Sequence, residues 1–261
     1  MSLEQKQKVL AALAGGAERV FELQSNLTAL RGLGPDNGGT GEQDKADYLE
    51  NWLRSFGIDD IEHIDAPDER VPSGRRPNLI VRVPGRSEKT LWILGHMDVV
   101  PAGEESLWRT DPWTVTRDAD DPDLIYGRGV EDNQQAIVCG CMVAAALKEQ
   151  GVTPDLSLGL IFVSDEETGN AYGIQQKGVC LYCGRKRCRR LRRFCINHHA
   201  AHAAVKTVHH TDISIRIARG KQIGKAVFLG RLLGKQIGGL DCYGDRMIFK
   251  QYVHKKSFLR V

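Results

Sequence analysis

Leu91 to Gly103 reads LWILGHMDVVPAG: a short apolar run of strand type, a histidine and an aspartate two residues apart, then Pro and Gly that break regular structure. Two later stretches are built alike. LIYGRGVEDNQ (Leu124 to Gln134) sets Asp132 at the opening of a long apolar-periodic segment. LIFVSDEETG (Leu160 to Gly169) sets Glu166 and Glu167 just past another apolar run. Together they offer His96, Asp98, Asp132, Glu166 and Glu167, one imidazole and four carboxylates. Imidazole nitrogen and carboxylate oxygen both bind zinc at about 2.0–2.2 Å. Two ions about 3.5–4 Å apart can hold a water between them and polarise a carbonyl oxygen. A metal-bound imidazole gives its other N–H to an acceptor, and Asp98, two residues along an extended segment, points to the same side as His96. A lone His-x-Asp or Glu-Glu pair is ordinary loop sequence. Three such segments at element ends in one stretch are a specific signal.

Working outward, Val20, Leu23, Leu27 and Leu30 share one helical face, and Leu49, Trp52, Leu53 and Phe56 share another that Gly57 would stop. Leu79 to Val83 and Leu91 to Leu94 are short apolar runs. A helix is expected from about Asn133, carrying Ile137, Cys141, Met142, Ala145 and Ala146 and ending near Gly151, followed by a buried strand over Leu156 to Val163. Strand, long loop, helix and strand make a βαβ unit, which places ligands at the carboxyl ends of its strands. His96 and Glu166 are expected just past such ends. Asp132 falls at a helix start, where the helix dipole also favours a carboxylate.

From about Glu4 to Ile174 the chain resembles the N-terminal half of the M20 metallopeptidase and aminoacylase family, which includes succinyl-diaminopimelate desuccinylases, acetylornithine deacetylases and glutamate carboxypeptidases. The resemblance rests on LWILGHMDVVPAG, DPWTVT, LIYGRGVEDNQ and LIFVSDEETG, with GGTGE (Gly38 to Glu42) and RPNLIVRVPG (Arg76 to Gly85) upstream in the expected order. It implies an α/β fold of the zinc-dependent exopeptidase type, a mixed sheet flanked by helices. It also implies two divalent metal ions, zinc or cobalt. His96 would bind one ion, Asp132 would bridge both and Glu167 would bind the second. Glu166 would be the general base, Asp98 would orient His96, and the Asp132–Asn133 peptide would be cis. The implied activity is hydrolysis of the amide bond of an N-acyl amino acid or small peptide. Glu166 would take a proton from the attacking water and pass it to the leaving amine. The family supplies two further ligands, an acid some tens of residues after the Glu-Glu pair and a late histidine. Asp212 and His254 are the candidates here, and neither sits in a matching motif. Members are often homodimers, but no dimer-forming region is recognisable.

Near Gln175 the composition changes. Before it stand 16 Lys plus Arg against 30 Asp plus Glu; from Gln175 on, 20 against 3, with no glutamate. The overall charge of +3 therefore averages two opposite parts. The expected division is 1–174, a truncated M20-like catalytic portion, and 175–261, a basic Cys/His-rich segment. Two readings of that segment compete. One is a metal-binding module of Cys180, Cys183, Cys188, Cys195, His198, His199 and His202, whose RKRCRRLRR face could follow phosphates. The other is coding sequence that has lost its frame. Absence of glutamate, enrichment in Arg, Cys and His, and an abrupt end to the family resemblance at the same place all favour the latter, and no second CxxC closes the knuckle. Thr211 to Ala218, with alternating Ile213, Ile215 and Ile217, still has the period of a strand.

As written, the chain is expected to be a poor hydrolase with at most one ion tightly held, because His96, Asp132 and Glu167 supply each of two ions with only two protein contacts. The alternatives are an inactive remnant of such an enzyme and a basic nucleic-acid-binding protein, the latter disfavoured. No run approaches the roughly 18 apolar residues of a membrane span, and MSLEQKQKVLAALAGG lacks an export signal's apolar core, so a cytoplasmic location is expected. Cys139 and Cys141 read as small core residues and His63 as a surface histidine. Gly127-Arg128-Gly129 is too short for a phosphate loop and precedes an acidic pair.

Overall fold

The computed structural model describes residues 1–176 and 178–179, together with the backbone of 214–216 and 247–248. The Cys/His module from Cys180 to His202, the basic run within it, and the substitute ligands Asp212 and His254 lie outside the described residues.

Three helices open the chain. α1 (Leu3–Ala14) starts at a capping box, in which the Ser2 hydroxyl accepts from the Gln5 amide and the Gln5 side chain accepts from the Ser2 amide. α2 (Ala17–Ala29) buries Leu23 and Leu27, and α3 (Gln43–Ser55) buries Ala46, Leu49 and Leu53. Gly57, at φ 69°, ends α3 as expected.

The main sheet holds β1 (Ile61–His63), β4 (Leu79–Val83), β5 (Ser87–His96), β8 (Leu156–Val163) and β10 (Met247–Ile248), ordered β1-β4-β8-β5-β10. β4 is antiparallel to both β1 and β8, whereas β5 is parallel to β8 and β10, so the sheet is mixed. β2 (Ala66–Pro67) and β3 (Arg75–Arg76) form a small ribbon. β6 (Thr116–Arg117), β7 (Leu124–Tyr126) and β9 (Ser214–Arg216) form a second sheet. β9 lies inside the alternating Thr211–Ala218 stretch. With β10, it shows the backbone of two short pieces beyond Gln175 joining sheets of the first part.

The βαβ unit forms as read. β5 leads through the β6–β7 ribbon to α4 (Gln134–Glu149), and α4 returns to β8 beside β5. One expectation needs correction. His96 is the last residue of β5, not past its end, because parallel pairing continues through His96 opposite Val163. One sheet face, with Leu79, Val81, Leu158, Leu160 and Phe162, packs on α1 to α4 in the main core. The other face buries Ile80, Ile161 and Val163 with Ile174 and Val179, so β4 and β8 are apolar on both sides. Cys141 is fully buried and its thiol is pushed up by burial, and Cys139 is half-buried. Among the described residues no helix is long and apolar enough to cross a membrane.

Candidate metal centre

The carboxyl ends of β5 and β8 lie side by side, and the chain leaves both at the same edge. After His96 it stays extended, with the Met97 amide donating to the Val163 carbonyl at 2.8 Å. After β8 it turns sharply at Asp165, whose φ is 63°. The Asp165 side chain braces its own turn, accepting from the Tyr172 amide at 3.1 Å and from the Thr168 hydroxyl. Asn78 holds the same corner, its Oδ1 accepting from the Ser164 amide at 3.1 Å.

These turns bring the predicted residues together. His96 is buried; its Nδ1 faces inward, 3.0 Å from the Asp98 carbonyl oxygen and 3.4 Å from Asp98 Oδ1. Its Nε2 faces outward, 3.1 Å from Asp132 Oδ1 and 3.9 Å from Glu166 Oε2. His96, Glu166 and Glu167 each offer a ligand atom within 4.8 Å of one another, the one such grouping among the described residues. Asp132 stands beside this trio, not within it; its side chain is 67% exposed and reaches it through His96. Asp98 sits behind, with its two oxygens accepting from the Glu166 and Glu167 amides at 3.0 and 2.9 Å. Its carboxylate therefore gathers the two glutamates at least as directly as it faces His96.

Asp132 arrives on a separate support. The Asp132–Asn133 peptide is cis, as the resemblance implied. α2 clamps the preceding segment: Gln24 Nε2 donates to the Val130 carbonyl at 3.2 Å, and the Thr28 hydroxyl lies 3.0 Å from Gln134 Oε1 and 3.2 Å from the Arg128 carbonyl. Gly129, at φ 82°, has no room for a Cβ, which would meet Gln134 and Val99 at 2.7 Å.

The electrostatics are those of crowded acids. Burial, reinforced by the Asp132, Asp98 and Glu166 carboxylates and opposed by His96, pushes the Glu167 carboxyl up to about 8. Burial opposes charge on His96, yet the Asp132 and Asp98 carboxylates more than offset it and hold the imidazole well above its ordinary value. Burial also works against ionisation of Asp98, but His96 and the Glu166 and Glu167 amides outweigh it and keep the carboxyl low. One imidazole with several carboxylate oxygens, crowded enough that an acid holds its proton, fits a divalent cation of the zinc type. Arg128, stacked 5.0 Å over the Trp108 ring, brings positive charge beside Glu167 and Asp132.

The family model of Peptidase family M20/M25/M40 matches residues 92–210, a span that holds the three quoted segments except Leu91 and that corrects the expected end of the resemblance near Gln175 by continuing past it. An uncharacterised metallohydrolase of Methanocaldococcus jannaschii is 36% identical over 163 residues, covering 60% of this chain and 39% of that protein. A Beta-Ala-Xaa dipeptidase of Lactobacillus delbrueckii is 38% identical over 150 residues, covering 49% of this chain and 31% of that protein. Among solved structures, the dipeptidase Dug1p of Saccharomyces cerevisiae superposes with a TM-score of 0.55 at 23% identity, over 64% of this chain and 36% of that one; this likeness speaks for the fold. This chain is thus similar, over residues 92–210, to the M20 family of peptidases and to metallohydrolases that match it. It spans about a third to two fifths of the length of these curated relatives.

Reading the sequence missed the residues behind the site: Lys45, Glu42, Arg76, Asn78, Gln24 and Thr28. Lys45 had left a trace. It lies four and eight residues before Leu49 and Leu53, so a charge falls in line with the apolar stripe of α3.

Proposed function

We propose that this chain is a metal-dependent amide hydrolase acting on N-acyl amino acids or small peptides, with zinc or cobalt at the His96 centre. The observation that carries the reading is the convergence of His96, Glu166 and Glu167 within 4.8 Å, with Asp132 against His96 Nε2. His96, Asp132 and Glu167 are the ligands. The bound cation would polarise the substrate carbonyl and acidify a water. Glu166, at the rim of the buried trio, takes a proton from the attacking water and returns it to the leaving amine. Asp98 keeps His96 and the two glutamate backbones in register. The dipeptidase relative supports small peptides as substrates.

Three candidate ligands shared by two ions leave each with two protein contacts, where catalytic zinc generally has three. We therefore propose one tightly held ion and weak turnover for the chain as written. The division into 1–174 and a basic 175–261 segment, and a cytoplasmic location, belong to the same reading. The test measures zinc per chain together with turnover on N-acetyl and N-succinyl amino acids and β-alanyl dipeptides. One ion with slow turnover is expected. Two tightly held ions with brisk turnover would show that residues beyond 174 complete the site. No ion bound would sink the metal reading.

A further inference from the structure

Behind the metal-facing side chains lies buried charge for which the proposed reaction has no use. Lys45 on α3 is fully buried, and its Nζ donates to the Met97 carbonyl at 2.9 Å. Met97 is the residue between His96 and Asp98. Lys45 also faces the carboxylates of Asp98 and Glu42, which draw charge onto it while burial pulls its ammonium down to about 7. On the same side, Arg76 is fully buried and grips Glu42 through two nitrogens, one of them at 2.6 Å.

A lysine buried in an apolar stripe is poor packing. Replacing buried charges with well-packed apolar groups is often neutral or stabilising, so core cohesion does not account for Lys45. Leu49 and Leu53, on the same face of α3, already serve that end. The surroundings are also built around the Lys45–Met97 contact. Gly32 sits over it at φ 71°, and a Cβ there would meet the Met97 carbonyl oxygen at 2.8 Å and Lys45 Cε at 3.0 Å. The Gly32 carbonyl in turn accepts from the Val99 amide at 3.3 Å. The segment from His96 to Val99 is thus held by Lys45 at the Met97 carbonyl and by the backbone of Gly32 at the Val99 amide.

Resting on the metal reading above, we infer that Lys45 is a positioning residue for the metal centre. Its ammonium fixes the Met97 carbonyl, and with it the direction in which His96 presents Nε2 and the place from which Asp98 gathers the Glu166 and Glu167 amides. Lys45 touches neither metal nor substrate. It sets the geometry of residues that do.

The test is a cobalt(II) titration of the full chain, followed by the visible absorption of the bound ion, which reports coordination geometry. Lys45→Met keeps the length of the stem and removes the ammonium. Cobalt affinity is expected to fall at least about tenfold, as when outer partners of a metal ligand are removed, with an altered spectrum. Leu49→Ala, one turn along, weakens the core but keeps the Lys45 ammonium and its bond to the Met97 carbonyl, and is expected to keep the wild-type spectrum and an affinity within about twofold. Equal affinity and spectrum in Lys45→Met and wild type would overturn the inference and leave the metal reading standing. So would an equal loss in Leu49→Ala, which would show a general effect of destabilisation. Should Lys45→Met fail to fold, Gly32→Ala decides: it keeps the lysine but crowds the contact, and unchanged cobalt binding there would overturn the inference. Wild-type chain that takes up no cobalt would overturn the metal reading, and this inference with it.

Discussion

Among the described residues two histidines each stand among carboxylates, and one of them belongs to a grouping of ligand atoms that fits a metal ion. His63 has Glu50 Oε2 at 2.7 Å from Nε2 and Asp65 Oδ1 at 3.8 Å from Nδ1, on opposite sides of the ring. Both acids are also taken by arginine: Glu50 accepts from Arg54 at 2.7 Å, and Asp65 pairs with Arg75 at 2.9 Å. His96 divides its nitrogens differently. Nδ1 is spent inward on Asp98, leaving Nε2 to face Asp132 and Glu166, with Glu167 alongside. Donors that converge on one point, with negative charge left over, attract a cation; donors spread around a ring and already balanced make a surface ion-pair network. Residue type does not separate the two clusters. Direction and charge balance do.

The largest effect expected from this difference is on chemistry. Glu166→Gln should lower whatever hydrolysis the chain supports by about 10²–10⁴-fold, the range of a lost general base, while zinc per chain stays unchanged. A variant that keeps full turnover would remove Glu166 from the reaction. Glu167→Ala should instead lose metal and activity together, as metal analysis of the purified variant can show.

Next comes the support. Asp98→Ala strands the amides of Glu166 and Glu167, which the carboxylate now accepts at 3.0 and 2.9 Å. Leaving two partly buried amides unpaired in this way costs up to about 2–6 kcal/mol for the pair, readable as a lowered midpoint of urea unfolding. Metal uptake should fall as well, because the two glutamates lose their common anchor. A stable Asp98→Ala protein with normal zinc content would refute the role given to Asp98.

The crowding at Glu167 carries a pH signature. Its carboxyl is raised from 4.5 to about 8 in the folded chain. Through that interval the metal-stripped fold keeps a proton that the unfolded chain has released. The contribution to stability is therefore full below about pH 4.5 and is lost as pH rises toward 8. In EDTA the melting temperature should drop between pH 6 and pH 8, and Glu167→Gln should flatten that drop. An identical drop in both proteins would assign the effect elsewhere. Added zinc should restore stability at pH 8, because a ligand that binds the folded state stabilises it.

Much of this was open to reading before any coordinates. The runs Leu79–Val83 and Leu156–Val163 are apolar throughout one face and, apart from Arg82, Ser157 and Gly159, on the other, so their strands and burial follow from composition, and the helix from Asn133 to Gly151 is bounded by its own signals. What escaped reading depends on contacts between distant parts of the chain. Asp98 was expected to serve His96, two residues away, yet its carboxylate oxygens meet amides 68 and 69 residues on. No local pattern encodes that pairing. Lys45 escaped for a related reason: a charge on a helix is ordinarily read as solvated, and its burial follows only once Met97 is packed across from it. The strands of two or three residues, β1 to β3, β6 and β7, are too short to show a period.

A packing change away from both histidines gives a smaller effect. Gly159 lets the Trp92 ring lie across β8, and a Cβ there would meet Trp92 Cε3 at 2.1 Å. Gly159→Ala should cost about 1–3 kcal/mol as overpacking, read from urea unfolding, with metal content unchanged because Trp92 lies four residues before His96 on the same strand.

The smallest effect belongs to the other histidine. His63→Gln removes a ring that is 32% exposed and whose acidic neighbours keep their arginines. Partly exposed pairs of this kind contribute about 0–1 kcal/mol, so the unfolding midpoint should barely move. Zinc per chain, cobalt spectrum and any turnover should equal those of the wild type. Because His63, Glu50 and Asp65 match His96 and its acids in residue type, this variant tests the comparison itself. Loss of an ion on removing His63 would mean that convergence on one nitrogen is not what selects a site in this molecule. An unchanged ion count, beside the loss expected for Glu167→Ala, would confine metal binding to the edge where β5 and β8 end.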